Sequence, residues 1–334
     1  MATHNVLVTV PRPLRDYILS EEAENKLRRM ANVHMNQEER NWSGEELAEW
    51  LPGVDAILAS WGLAKLTPQV LERADSLDMV AYAAGSVKGF VTPTLYERDI
   101  VVCHAAHRIA DSVAEFSLLL AMIGLRRPHE FDRQLKAGAE WPRSRDLALY
   151  EIGGKKVGLL GMGYVGRRAA KLFQGVGAQV WVYDPYLPAD EGESLGVHKA
   201  ELDELLSACK IVSLHLPSTE ETHHMLGARE FALLRDGAIL INTARSWVLD
   251  QEALIQELEK GRFWAALDVY DEEPLPVDHP LRGMDNVFIT PHVAGLTRDS
   301  HGSLMEEMVD EIARYFAREP LKHQVTQEML DIMA

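Results

Sequence analysis

Short apolar runs alternate with stretches of helical spacing along most of the chain. Residues 6–10, Val-Leu-Val-Thr-Val, read as a buried strand that Pro11 and Pro13 end. Residues 14–30 carry apolar side chains at helical spacing, and 54–59, 79–83 and 100–103 are further strand candidates. Strands separated by helices imply βαβ units and a parallel sheet. The pattern changes at Asp111. Ser112-Val113-Ala114-Glu115 reads as a capping box that opens an apolar helix to Leu125, and the polar stretch 133–149 reads as a surface connection. A second and clearer series of strands follows at 157–160, 179–183, 211–215, 238–242, 264–268 and 287–290. Helical patterns fill the intervals at 165–174, 201–208, 228–234 and 251–260, and 298–318 predicts one long amphipathic helix. Six strands with crossover helices fit a doubly wound sheet of the kind that binds dinucleotides.

Composition narrows the classes. The 334 residues suggest about two domains, and 47% apolar with 25% charged residues is the balance of an ordinary globular protein. Asp and Glu outnumber Lys and Arg by 51 to 34, a net charge of −17. Such a surface repels nucleic acid and acidic membranes, so neither is expected as a partner, and an anionic ligand must find a local positive site. Cys103 and Cys209 lie far apart, which argues against a disulfide framework and fits a reducing compartment. Residues 1–10 show no secretory pattern and no apolar stretch reaches membrane-spanning length, so the expectation is a cytoplasmic protein. No metal site is expected. The His223-His224 pair lacks further ligands at metal spacing and reads as a solvated loop.

The most specific local signal is Gly161-Met162-Gly163-Tyr164-Val165-Gly166, placed directly between a strand and a helix. Gly161 allows the tight turn, Gly163 lets the backbone approach a pyrophosphate, and Gly166 lets helix pack on strand. The helix N-terminus then offers N–H groups to phosphate. The next strand ends at Asp184, whose carboxylate suits the ribose hydroxyls and opposes a 2′-phosphate, favouring NAD over NADP. Three more polar residues lie just beyond strands of this series, Arg245, Glu273 and His292. Ligands of open parallel sheets bind at the carboxyl ends of strands. An arginine there binds a carboxylate, a histidine exchanges a proton with a carbonyl or alcohol oxygen, and a carboxylate on its other nitrogen fixes the tautomer. Together they suit hydride transfer between a 2-hydroxy acid and nicotinamide. Taken singly, each is as readily a surface or loop residue.

With these pieces the chain resembles the D-isomer-specific 2-hydroxyacid dehydrogenase family. The matching pieces are 112–115, the glycine loop, Tyr183-Asp184-Pro185, His215-Leu216-Pro217, Asn242-Thr243-Ala244-Arg245, Ala266-Leu267-Asp268-Val269, Glu272-Glu273-Pro274 and Pro291-His292-Val293-Ala294-Gly295, in the family's order. The resemblance implies an α/β fold of two doubly wound parallel-sheet domains. A flavodoxin-like substrate domain (1–110 and 305–334) would carry an inserted Rossmann NAD-binding domain (111–304). It implies that Arg245 binds the substrate carboxylate and that His292, paired with Glu273, is the acid/base. Asp268 would meet the nicotinamide carboxamide, and Tyr164 and Val165 the pyrophosphate. Leu216, Pro217, Thr222, Thr243, Ala244 and Gly295 would line the rest of the NAD(H) cleft. It also implies a homodimer through the NAD-binding domain and a small 2-oxo or 2-hydroxy acid as substrate.

The chain departs from the family pattern at Ala84-Gly85-Ser86-Val87-Lys88, where Gly85, Ser86 and Val87 remain candidates for holding a substrate carboxylate. Lys88, His104, His107, Arg108 and Trp247 are candidates for a polar substrate tail, or equally surface residues. An alternative role is a non-enzymatic, corepressor-like NAD-binding regulator of the same fold, for which the end at Ala334, soon after the last helix, leaves little room. Formate oxidation is disfavoured by Glu273, because the relatives that do it carry a glutamine there.

Overall fold

Residues that point alternately to two covered faces of a sheet are apolar on both, and most strands of this protein have that signature. The structure, a computed structural model, describes residues 4–141 and 148–333. It divides into two compact units, Met1–Ile109 with Leu296–Ala334, and Ala110–Gly295.

The first unit contains β1 (His4–Val8), β2 (Ala31–Met35), β3 (Ala56–Ala59), β4 (Met79–Tyr82), β5 (Val101–His104) and, near the end of the chain, β13 (Gln324–Val325). They form a sheet in the order β13-β5-β4-β3-β1-β2, parallel except for β13, which pairs antiparallel with β5. Leu7, Ile57 and Val80 face one core and Val6, Val8, Leu58 and Ala81 the other. Leu304, Met305, Met308, Val309 and Ile312 of the helix Arg298–Ala317 cover that second face.

The second unit contains β6 (Lys156–Leu160), β7 (Gln179–Tyr183), β8 (His198–Lys199), β9 (Ile211–Leu214), β10 (Ile239–Asn242), β11 (Trp264–Leu267) and β12 (Val287–Ile289). Their order is β12-β11-β10-β9-β6-β7-β8, all parallel. The order reverses between β6 and β9, the switch point at which doubly wound sheets open a crevice beyond their carboxyl ends. Phe173, Phe263 and Trp264 are buried in its cores, as their apolar surroundings in the sequence suggest.

Three details differ from the sequence reading. The 14–30 pattern is two helices, Arg12–Ile18 and Glu21–Met30, because Ser20 caps the second by accepting from Ala23 N–H at 3.2 Å. Ser112 opens no helix. The helix runs from Ala106 to Arg126, starting just beyond β5, and Ser112 is buried in its interior. Within the stretch read as a connection, 133–136 belongs to the helix Pro128–Lys136, and 142–147 lies outside the described residues.

Candidate active site

All the strands of the second unit run parallel, so the residues that follow them lie along one edge of the sheet. Gly161 follows β6, Asp184 follows β7, His215 to Pro217 follow β9, Thr243 to Arg245 follow β10, Asp268 follows β11, and the 290–295 segment follows β12. Topology alone therefore gathers these sequence-predicted residues. Gly85, Ser86 and Val87 belong to the first unit, on the loop after β4. The Val87 side chain is in the core, so only its backbone can meet a ligand.

The glycine loop is built as the sequence suggests. Gly161 has φ +97°, and a Cβ there would lie 2.7 Å from the His215 carbonyl oxygen. A Cβ at Gly166 would lie 2.1 Å from the Gly161 carbonyl oxygen, so the helix Tyr164–Gly175 rests directly on the loop. A Cβ at Gly163, by contrast, would meet no protein atom within 4 Å. That open face sits at the helix N-terminus, where the N–H groups of Tyr164 and Val165 begin the first turn. The Asp184 carboxylate accepts from Met162 N–H (2.6 Å) and Tyr186 N–H (2.8 Å). These bonds pin the loop and leave lone pairs for further donors. A dinucleotide fits this donor set, with pyrophosphate at the open helix terminus and ribose at Asp184.

The remaining cleft candidates are held by local contacts and burial. Thr222 Oγ1 donates to Pro217 O at 2.7 Å, Leu216 is 7% exposed, and the Thr243 hydroxyl pairs with Ser117 Oγ at 2.9 Å. His215 is a residue that the sequence reading quoted without assigning a role. Both its ring nitrogens are buried without a partner among the described residues, and burial pushes its pKa down to about 4. A neutral imidazole at the end of β9 thus has donor and acceptor capacity left for a ligand. In the sequence it stands at the end of the predicted strand 211–215 and opens the piece His215-Leu216-Pro217.

The catalytic candidates lie together in this unit. His292 Nδ1 is 2.7 Å from Glu273 Oε2, and Tyr270 N–H donates to Glu273 Oε1 at 3.0 Å. The carboxylate is thereby fixed between backbone and imidazole. Tyr270 is itself buried, and its hydroxyl oxygen lies 2.8 Å from Leu267 O and 2.9 Å from Thr290 O and accepts from Thr290 N–H, joining the ends of β11 and β12. Arg245 is half-buried. Asn242, fully buried at the end of β10, organises its turn by donating to Arg245 O and accepting from Ala244 N–H. Burial pulls the guanidinium pKa down, and the charge of Glu273 opposes that shift. Even lowered, a guanidinium of this kind stays protonated at neutral pH.

Asp268, for which the resemblance implies a carboxamide contact, is held by its own loop. It is fully buried, and Oδ1 accepts from Thr290 Oγ1 (2.6 Å) and Val293 N–H (2.9 Å) while Oδ2 accepts from Ala294 N–H (2.8 Å). These bonds straddle His292, whose φ of +54° lies in the left-handed region. Such a conformation costs on the order of 1 kcal/mol or more in a residue with a Cβ. Three charge-assisted bonds to its neighbours offset it.

Of the other polar candidates, His104 is buried with Nδ1 at 2.9 Å from Gly85 O. His107 and Arg108 lie at Glu307. Trp247 donates from Nε1 to Thr219 O at 2.9 Å and packs on His223, with the rings 4.0 Å apart. Cys103 and Cys209 are buried free thiols whose pKa values burial pushes upward, so neither is a nucleophile at neutral pH. Among the described residues no helix is long and apolar enough to cross a membrane.

A D-3-phosphoglycerate dehydrogenase of Methanocaldococcus jannaschii is 34% identical over 275 residues, 81% of this chain and 52% of the relative. The chain thus spans about half the length of the phosphoglycerate dehydrogenases that it matches. A glyoxylate reductase of Korarchaeum cryptofilum is 30% identical over 328 residues, 96% of this chain and 98% of the relative. Among solved structures, the TT0316 protein of Thermus thermophilus superposes with a TM-score of 0.82 at 29% identity, covering 96% of this chain and 100% of that one. Residues 116–294, which include the glycine loop and the three catalytic candidates, match the NAD binding domain of the D-isomer specific 2-hydroxyacid dehydrogenases, and the chain belongs to that family.

Proposed function

We propose that this protein interconverts a D-2-hydroxy acid and its 2-oxo acid with NAD(H) as cofactor. The observation that carries the reading is the His292–Glu273 contact of 2.7 Å in the unit that also holds the glycine loop and Arg245. The nicotinamide, when bound, supplies or accepts the hydride. Arg245 binds the substrate carboxylate through its guanidinium and holds the neighbouring C2 oxygen. In reduction, protonated His292 gives its Nε2 proton to that oxygen as C2 gains the hydride. In oxidation, neutral His292 takes the hydroxyl proton. Glu273 accepts from Nδ1–H throughout, fixing the tautomer and orientation of the ring. Asp184 selects NAD over NADP.

The first unit would be the substrate domain, and the backbone of its Gly85, Ser86 and Val87 remains a candidate substrate contact. The names of relatives point to small 2-oxo acids such as glyoxylate and hydroxypyruvate as a first panel. A homodimer through the NAD-binding unit is part of the same reading. Leu119 and Met122 on the helix Ala106–Arg126, with Leu135 and Trp141, are exposed apolar side chains suited to that contact.

The test is His292→Ala assayed for NADH oxidation across a panel of 2-oxo acids, including sugar-derived ones. Turnover should fall by about 10²–10⁴-fold while NADH affinity changes little. Equal turnover in parent and variant refutes the acid/base role.

A further inference from the structure

We propose that His107, Glu307 and His323 form a binding site for a divalent transition-metal ion of the zinc class. The three residues come from separate segments of the first unit. His107 is in the first turn of the helix Ala106–Arg126, Glu307 is midway along Arg298–Ala317, and His323 directly precedes β13. None of them has a part in the reaction proposed above.

The geometry is that of a ligand set drawn to one point. His323 Nε2 is 2.8 Å from Glu307 Oε1, and His107 Nε2 is 3.3 Å from Glu307 Oε2. One ligand atom from each residue lies within 4.8 Å of the others. Zinc bonds of about 2.0–2.2 Å to nitrogen and oxygen produce tetrahedral edges of roughly 3.3 Å, close to these separations. The two imidazoles are stacked 3.7 Å apart at 7°, each with Nε2 at the Glu307 carboxylate, so one ring must tilt for both lone pairs to meet one ion. Side-chain exposures of 15% and 20% leave the cluster reachable from solvent for an incoming ion and its water.

Two imidazoles and one carboxylate suit zinc, cobalt or nickel better than calcium or magnesium.

A rigid frame holds these side chains. Glu311, one helical turn beyond Glu307 and fully buried, accepts from the N–H groups of Lys322 (3.0 Å) and His323 (3.2 Å). His104 N–H donates to His323 O at 3.2 Å, and the register of β13 on β5 continues from there. The site is thus placed by backbone bonds rather than by flexible side chains. An ion there would tie the segment before β13 and the start of one helix to the middle of another. Arg108 Nε, 3.5 Å from Glu307 Oε2, is the competing cation. Its side chain is 44% exposed and free to turn outward when an ion enters.

The experiment uses the full chain stripped by a chelator and titrated with Co²⁺ and Zn²⁺. The expected result is one ion per chain, a visible cobalt absorption band, and a Tm that climbs with metal concentration. Glu307→Gln and His323→Ala should each weaken binding by more than about 100-fold, beyond the loss from an outer-shell partner. Arg108→Ala should bind several-fold more tightly. That gain cannot come from a misfolded chain, so the proposal stays testable if a ligand variant fails to fold. A parent protein with no cobalt band, or ligand variants that bind like the parent, would overturn it.

Discussion

Asp268→Asn separates two roles for a residue that the family resemblance places at the cofactor and the structure places beneath the catalytic loop. In the parent, one carboxylate oxygen takes the Thr290 hydroxyl and Val293 N–H, and the other takes Ala294 N–H. An asparagine that keeps its oxygen on the first pair turns an amide NH₂ toward Ala294 N–H, donor against donor. The flipped amide abandons Thr290 and Val293 instead. Either way at least one buried donor loses its acceptor, costing about 1–3 kcal/mol, and the remaining bonds lose their charge assistance. The sum is about 3 kcal/mol. At about 2–4 °C per kcal/mol for domains of 150–250 residues, the Tm should fall by about 6–12 °C. The left-handed turn at His292 loses its anchor, so turnover should drop by about 10–100-fold even with NADH saturating. The decisive assay is thermal unfolding of the cofactor-free protein. A Tm within about 2 °C of the parent, with only NADH affinity reduced, would refute the bracing role and leave Asp268 as a ligand contact.

Asp184→Ala should raise the NADH dissociation constant by about 10–100-fold, from the lost bonds to ribose, and narrow the preference over NADPH. A parent protein that already prefers NADPH contradicts this reading of Asp184. His215→Asn tests the buried neutral imidazole. Its folded pKa of about 4 lies below the ordinary 6.5, so between those values the unfolded chain binds more protons and stability falls as pH drops. The variant should therefore lose roughly 2–3 kcal/mol less than the parent between pH 7 and 4, read from urea midpoints, and identical pH slopes would rule the effect out. Gly166→Ala puts a Cβ on the Gly161 carbonyl and should cost about 1–3 kcal/mol and abolish tight NADH binding. An unchanged denaturation midpoint would show that the helix yields freely.

Legibility in the sequence followed burial. β6, β9, β10 and β11 are buried on both faces and stand out as apolar runs, which places Gly161, Arg245 and Asp268 at strand ends. The strands that escaped are at sheet edges. β2 exposes Asn32 and His34 on one face and has only Ala31 fully buried, and β8 and β13 are two residues long. The Ser112 capping pattern misled because a cap motif is equally compatible with a helix interior once the preceding residues are helical. Nothing in 106–111 resists that conformation.

The same distinction governs the sites. The glycine loop and the sequence around His292 are local, so their chemistry can be read from a few adjacent residues. The brace by Asp268 depends on how the chain passes from β12 through residues 290–294, and the buttress by Tyr270 on the spacing of β11 and β12. Residue types alone encode neither. Positions 107, 307 and 323 are the extreme case, because the whole second unit, Ala110–Gly295, separates the first from the others in the sequence. Only the antiparallel return of β13 beside β5 sets His323 against the start of the helix that carries His107. Were that pairing shifted by one residue, His323 would turn to the opposite face of the strand and leave Glu307 with a single imidazole. Register, rather than motif, is therefore what the proposed metal site would depend on.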